Sequence, residues 1–128
     1  MSDIEANKAI VRRYMEAVGA GDAAAADALQ ARDATWWVLG HGDMTREVFS
    51  SAVGAMIAAA TSRTVTIVSM IAEGDRVAAE IASEMHFGDR VYCNQYHDVF
   101  VIRDGLIVEG REYLDTKVVD AFQAVMAG

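Results

Sequence analysis

The sequence predicts an α+β fold in which helices cover the concave face of a curved antiparallel sheet. Three observations carry this. Apolar residues recur at three-and-four spacing over residues 3–18 and again over 46–59, the signature of amphipathic helices. From Thr64 onward the pattern changes to alternation rich in β-branched residues, and four strand-like runs follow in series. A last helical stripe closes the chain after Asp115. Helices placed first and a meander of strands afterwards leave an antiparallel sheet with one apolar face, which the helices cover to enclose a cone.

The elements follow in order. In the first helix Ile4, Lys8, Val11, Tyr14, Met15 and Val18 form the stripe, Lys8 packing only its stem. Ser2 or Asp3 supplies the N-cap, and Gly19 to Gly21 end the helix. Asp22 caps a short alanine-rich helix over 23–31, and Asp33-Ala34-Thr35 leads into a strand from Trp36 to Leu39. Two adjacent tryptophans on a strand must face opposite ways, so one lines a cavity or an interface. Gly40 to Asp43 is read as a loop exposing His41. A helix over 46–59, capped by Thr45 or Asp43, buries Val48, Phe49, Ala52, Val53, Met56 and Ile57. Strands over Thr64–Ile71 and Val77–Phe87 are joined by a turn at Glu73-Gly74-Asp75. The second strand turns Glu80, Glu84 and His86 to solvent and the face containing Ile81 and Ser83 inward. Gly88-Asp89 is the next turn. After the final hairpin, Thr116 or Asp115 caps a helix with Val118, Val119, Phe122, Val125 and Met126 on one side.

The hairpin, Tyr92 to Asp115, is the informative stretch. Its turn lies at Arg103-Asp104-Gly105, and its strands are apolar except for two acids, Asp98 and Glu112. A two-residue Asp-Gly turn in a regular ladder pairs Asp98 with Arg111. A three-residue turn puts Asp98 and Glu112 on one face, and we favour it. That face then also carries Tyr92, Asn94, Tyr96 and Phe100, which is the composition of a pocket. Trp36, Val38 and Leu114 complete the expected ligand-binding set with Asn94, Tyr96 and Phe100. The opposing reading is a solvated face, or an ion pair of Arg111 with one of the acids.

The 128 residues fit one domain spanning 1–128, and 53% hydrophobic content suffices for a core. A net charge of −8 excludes the Lys/Arg clusters that nucleic acid or an anionic membrane surface needs. A lone cysteine, Cys93, precludes an internal disulfide and suits the cytoplasm; it is expected as a small buried hydrophobe. No basic leader, and no apolar run of the ~20 residues that cross a bilayer, is present. His41, His86 and His97 lie on separate elements without ligand spacing, so no metal is expected.

The segments RRYMEAVGAGD at 12–22, ARDATWWVLG at 31–40 and DVFVIRDGLIVEGREYLDT at 98–116 resemble the nuclear transport factor 2-like superfamily, and within it the SnoaL-like polyketide cyclases and ketosteroid isomerase-related proteins. The resemblance implies a cystatin-like α+β roll, a homodimer formed through the outer sheet face near Val99 and Val101, and a small hydrophobic ligand. It matches Tyr14 and Asp98 to the oxyanion-binding tyrosine and protonated aspartic acid of the isomerases, whose general base falls at Val38. The last acid of limonene epoxide hydrolase matches Glu112, while that enzyme's Arg and first Asp fall near Ile81 and Ser83. The chemistry the residues themselves support is cofactor-free. Asp98, Glu112 and Tyr14 in an apolar hollow would provide one ionised acid to take a proton beside a carbonyl. The protonated acid and the phenol would donate to its oxygen. A cyclase, isomerase or dehydratase would use this arrangement, and a non-catalytic binding module is the competing reading.

Overall fold

A computed structural model of the chain describes residues 3–127. The element order is α1 (Ile4–Ala20), α2 (Ala23–Ala28), β1 (Gln30–Val38), β2 (Gly42–Thr45), α3 (Arg46–Ala59), β3 (Ser62–Glu73), β4 (Arg76–Phe87), β5 (Arg90–Arg103), β6 (Leu106–Leu114) and α4 (Thr116–Ala127). The strands form one six-stranded sheet in the order β2-β1-β6-β5-β4-β3. Every neighbouring pair is antiparallel except β1 with β6, which run parallel, so the sheet is mixed rather than purely antiparallel. The α+β class and the helical cover of the concave face match the expectation.

Local chemistry sets the helix ends. Asp3 Oδ1 accepts from the Ala6 N–H at 3.1 Å and caps α1; Ser2, the other candidate, lies outside the described residues. Gly21 ends α1 in the left-handed region at φ 77°. No side chain fits there, because a Cβ would meet the Arg63 guanidinium, which donates to the carbonyls of Ile57 and Ala60 at the end of α3. Arg63 thus caps the end of α3 while its guanidinium lies against the end of α1 at Gly21.

Two expectations for the first third of the chain need correction. The alanine-rich helix stops at Ala28, and β1 begins at Gln30, six residues ahead of Trp36. The reason is tertiary. Gln30 is buried, its Oε1 accepting from Trp36 Nε1 at 2.8 Å, and the Ile107 N–H donates to the Leu29 carbonyl at 2.9 Å. Residues of good helix propensity are thereby drawn into the sheet. The loop expected at 40–43 is also shorter: Gly42–Thr45 forms β2, pairing Thr35 with Thr45 and Val38 with Gly42. Four residues carry too little alternation to be seen as a strand.

The hairpin reaches the expected geometry by another route. Its loop has two residues, Asp104 at φ 52° and Gly105 at φ 76°, both left-handed as a type I′ turn requires. Arg103 pairs with Leu106 and Ile102 with Ile107, but Val101 pairs with Glu109. Val108 is the extra residue of a β-bulge, and it shifts the register by one. Asp98 therefore stands opposite Glu112, not Arg111. The favoured three-residue turn is wrong; the shared face is real.

The core is built on Trp36, which is 1% exposed. Its indole stacks on Phe49 of α3 with centroids 3.9 Å apart and planes at 5°, and meets Phe100 edge-on at 5.7 Å. Behind it lies Gly110 on the neighbouring strand, whose missing side chain makes the room: a Cβ there would overlap the indole ring. Trp37, on the other face, lies under the Arg111 guanidinium at 4.4 Å and beside Tyr113. Val101 is buried and Val99 half-buried within the chain, so they do not form the free outer strip expected of them.

Gly110→Ala is expected to displace the Trp36 indole from Phe49 and lower folding stability by about 1–3 kcal/mol, with altered tryptophan fluorescence. Urea unfolding followed by that fluorescence checks it. An unchanged midpoint would mean that the neighbouring strands absorb the methyl group without strain.

Candidate functional site

Between the sheet and α1, α3 and α4 lies a cavity of about 410 Å³, within the usual range for small-molecule sites. Alternation along the strands supplies its sheet wall: Trp36 and Val38 from β1, Ile81, Ser83 and Met85 from β4, Tyr92, Tyr96 and Asp98 from β5, and Glu112 and Leu114 from β6. Val65 of β3 and Met44 of β2 add to it, and the helices supply the facing side. Tyr14, Met15 and Val18 come from α1, Phe49, Val53 and Met56 from α3, and Val119, Phe122 and Gln123 from α4.

The cavity gathers most of the residues singled out in the sequence: Tyr14, Trp36, Val38, Tyr96, Asp98, Glu112 and Leu114 all line it. Two do not. Phe100 is fully buried beneath Tyr14 and Trp36 as part of the core. Asn94 is buried behind the wall, its Nδ2 donating to Tyr92 Oη at 2.7 Å and to the Asp115 carbonyl at 3.2 Å. His41 is exposed as expected, yet it borders the cavity next to Met44. The contribution of α4 was not foreseen. Its apolar stripe was legible, but not that the helix, capped by Asp115 through the Lys117 and Val118 amides, would set Val119, Phe122 and Gln123 in the cavity wall. Phe122 then packs on Phe87 and Tyr92, each at 4.9 Å.

Asp98 and Glu112 are the chemical centre. Asp98 is 2% exposed, and its Oδ1 has no hydrogen-bond partner. Glu112 is half-buried and lines the cavity. No cation among the described residues pairs with either acid, since Arg111 is engaged with Trp37 on the far face. The ion-pair reading of the hairpin is therefore excluded.

Burial first, then the charge of Glu112, push the Asp98 carboxyl well above its usual range. Burial also pushes Glu112 up, to about 7, while its hydrogen bond with Asp98 pulls it the other way. These directions agree with the orphaned oxygen. Two ionised carboxyls facing each other have nothing to donate, whereas a protonated Asp98 donates to Glu112 and satisfies both. Both directions favour a proton shared between the facing carboxyls over two separate charges. Tyr14 is 3% exposed, and burial, then Glu112 and Asp98, keep its phenol protonated. No hydrogen bond among the described residues engages its hydroxyl.

Elsewhere, Glu84 accepts from His86 at 2.9 Å on the outer face, as expected of a solvated strand face. Cys93 is a correction: it is exposed, its thiol reaching Glu84 Oε1 at 3.8 Å. The same alternation that buries Asp98 turns an odd-numbered neighbour outward. No metal-binding cluster occurs among the described residues, and none of their helices is long and apolar enough to cross a membrane.

The profile of the SnoaL-like domain matches residues 11–110. No curated protein sequence matches the chain. Among solved structures, BvnE pinacolase from Penicillium brevicompactum aligns with a TM-score of 0.86 at 14% identity, covering 96% of this chain and 92% of that one. An M. tuberculosis LEH-like epoxide hydrolase aligns at 0.79 and 18% identity, covering 98% of each chain. IdmH from Streptomyces antibioticus, a candidate polyketide cyclase, aligns at 0.76 and 20% identity, covering 90% of this chain and 96% of that one. At these identities the likeness concerns the fold.

An acid that holds its proton more tightly when folded stabilises the native chain below its unfolded value, and that contribution is lost as pH rises through the folded value. For Glu112 the window runs from about 4.5 to about 7. Wild type should therefore lose stability relative to Glu112→Gln across this window, by up to about 3 kcal/mol. Urea unfolding of both proteins at pH 4.5 and pH 8 measures it; parallel pH dependences would show that Glu112 is not held in a dry site.

Proposed function

This chain belongs to the SnoaL-like domain family, and from that premise we propose that it is a cofactor-free acid/base enzyme acting on a small hydrophobic carbonyl compound. The observation that carries this reading is the pair of facing carboxyls without a cation, set in the wall of an apolar cavity. A site that merely holds an apolar ligand gains nothing from two buried acids.

Glu112 is the base. Raised to about 7, it is both substantially ionised at neutral pH and basic enough to take a proton from a carbon beside a carbonyl. The C–H electron pair moves into the enolate, and the carbonyl oxygen gains negative charge. Tyr14, a neutral phenol with a free hydroxyl, donates to that oxygen. Asp98 donates to Glu112 beforehand. Once Glu112 carries the substrate proton, that hydrogen bond is no longer required, and the Asp98 proton is released toward the developing oxyanion. Return of the proton from Glu112 at another carbon completes an isomerisation. Attack of the enolate on a second carbonyl gives a cyclisation, and loss of a β-hydroxyl gives a dehydration.

Val38, which falls at the base position of the related isomerases, supports the assignment of Glu112. It pairs with Glu112 across β1 and β6 and lines the same wall. A carboxyl on the adjacent strand thus faces the space that a base on β1 would serve. The same valine favours the second reading, a binding module that has lost its catalytic base. Ile81 and Ser83 in the cavity wall provide neither the Arg nor the Asp of the epoxide hydrolases, so that chemistry is disfavoured.

Deuterium exchange beside the carbonyl of 1-tetralone in D₂O, followed by NMR, separates the readings. Wild type should catalyse exchange with a rate that rises as pH passes about 7. Glu112→Gln should abolish it, and Tyr14→Phe should reduce it about 10²–10³-fold. A ketone that binds in the cavity and exchanges no faster than in buffer would leave the binding module as the reading.

A further inference from the structure

We propose that Ser83, Tyr92 and Tyr96 form a second oxygen-binding subsite in the cavity, fitted to a hydroxyl or carbonyl oxygen at the far end of a ketone whose reacting carbonyl lies at Asp98 and Glu112. The inference rests on the function proposed above and narrows its substrate class to compounds with two separated oxygen functions.

The three hydroxyls line the cavity and touch one another. Ser83 Oγ lies 2.8 Å from Tyr96 Oη, and Tyr96 Oη lies 3.4 Å from Tyr92 Oη. Asn94 sets the direction of the chain. Its Oδ1 accepts from the backbone amides of Gln95 at 2.7 Å and Asp115 at 3.3 Å, so its Nδ2 must be the atom facing Tyr92. Nδ2 can only donate, and Tyr92 Oη receives that hydrogen bond at 2.7 Å.

The proton count then leaves a surplus. Three hydroxyls carry three protons, and the two contacts between them use two. Asn94 takes none, because it is a donor. Tyr96 donates to Tyr92, so Ser83 donates to Tyr96, and the O–H left over is that of Tyr92, in a cavity whose other lining offers few acceptors. A buried donor without an acceptor is costly, and an oxygen on the ligand removes that cost.

The position fits a second contact rather than part of the first. Along β5 from Asp98, Tyr96 is two residues away and Tyr92 six, and Ser83 stands opposite Asn94, four residues away; at strand rise these are roughly 7, 20 and 14 Å. Ile81 and Leu114 flank Tyr96 on the neighbouring strands, so the wall to either side of it is apolar. A ligand reaching from the dyad to the Tyr92 hydroxyl along this wall needs a ring skeleton between its oxygens.

Two pairs of ketones of different length test this. They are 1-tetralone with 6-hydroxy-1-tetralone, and 4-phenylcyclohexanone with 4-(4-hydroxyphenyl)cyclohexanone, with dissociation constants measured by calorimetry. In at least one pair the hydroxyl should tighten binding to wild type about tenfold. That advantage, read as the ratio of the two affinities on the same protein, should vanish in Ser83→Ala/Tyr92→Phe/Tyr96→Phe, with an unchanged far-UV circular dichroism spectrum reporting an intact fold. Equal affinities within both pairs on wild type overturn the subsite, as does an advantage that survives in the triple variant. The dyad is judged separately, by the parent ketones. If they bind wild type and Asp98→Asn/Glu112→Gln equally, or do not bind at all, the carbonyl reading falls and the subsite with it. Dyad-dependent binding of the parents with no gain from the hydroxyl overturns the subsite alone.

Discussion

Two carboxyl groups held face to face in an apolar wall are the constraint on which the site depends, and one extra residue puts them there. Without the bulge at Val108, the two-residue turn would set Arg111 opposite Asp98 and give an ordinary ion pair across two strands. With it, the acids face each other, and Arg111 moves to the outer face above Trp37. A one-residue slip exchanges the two faces of a strand, so a single insertion decides between a structural salt bridge and a proton-sharing pair. No hydrogen-bond partner meets Asp98 Oδ1 within the described chain, so it is a shared proton, not a cation, that makes the pair tolerable.

The cavity survives because its walls are braced elsewhere. Trp36 fills the space that the missing side chain of Gly110 leaves, stacks on Phe49, and is fixed at its nitrogen by Gln30. Gln30 in turn donates to Ser50 on α3 at 3.4 Å. This line of contacts holds α3 off the sheet at a set distance. Arg63 caps the far end of α3, its guanidinium lying beside the end of α1. Close-packed supports around the hollow let it remain open without collapse.

Much of the fold was legible. The helical spacing of Val11, Tyr14, Met15 and Val18 and the alternation of Val77 to Phe87 each report a buried face directly. The inward placement of Asp98 and Glu112 followed from the same alternation. The misreadings share a cause. Gln30 enters β1, and Gly42–Thr45 becomes β2, because partners distant in sequence complete their hydrogen bonds. Asn94 and Phe100 were placed on the correct face but not at the correct depth, since alternation distinguishes sides of a strand and not which side chains meet empty space. The turn was misjudged in the other direction. Asp104-Gly105 is the common two-residue signal, and the compensating bulge at Val108 has no mark in local composition.

What the sequence by itself determined is periodicity and chemistry: which residues alternate onto one face, that two acids interrupt the apolar strands of the hairpin, and that a phenol lies on the buried stripe of α1. These are local properties, written in spacing and residue type. Only the tertiary structure decided that the acids meet, that α4 closes over them, and that three hydroxyls join into a chain with a proton to spare. Those depend on strand register and on distances between elements remote in the chain. Such distances come from packing and from long-range hydrogen bonds, which no stretch of sequence contains alone.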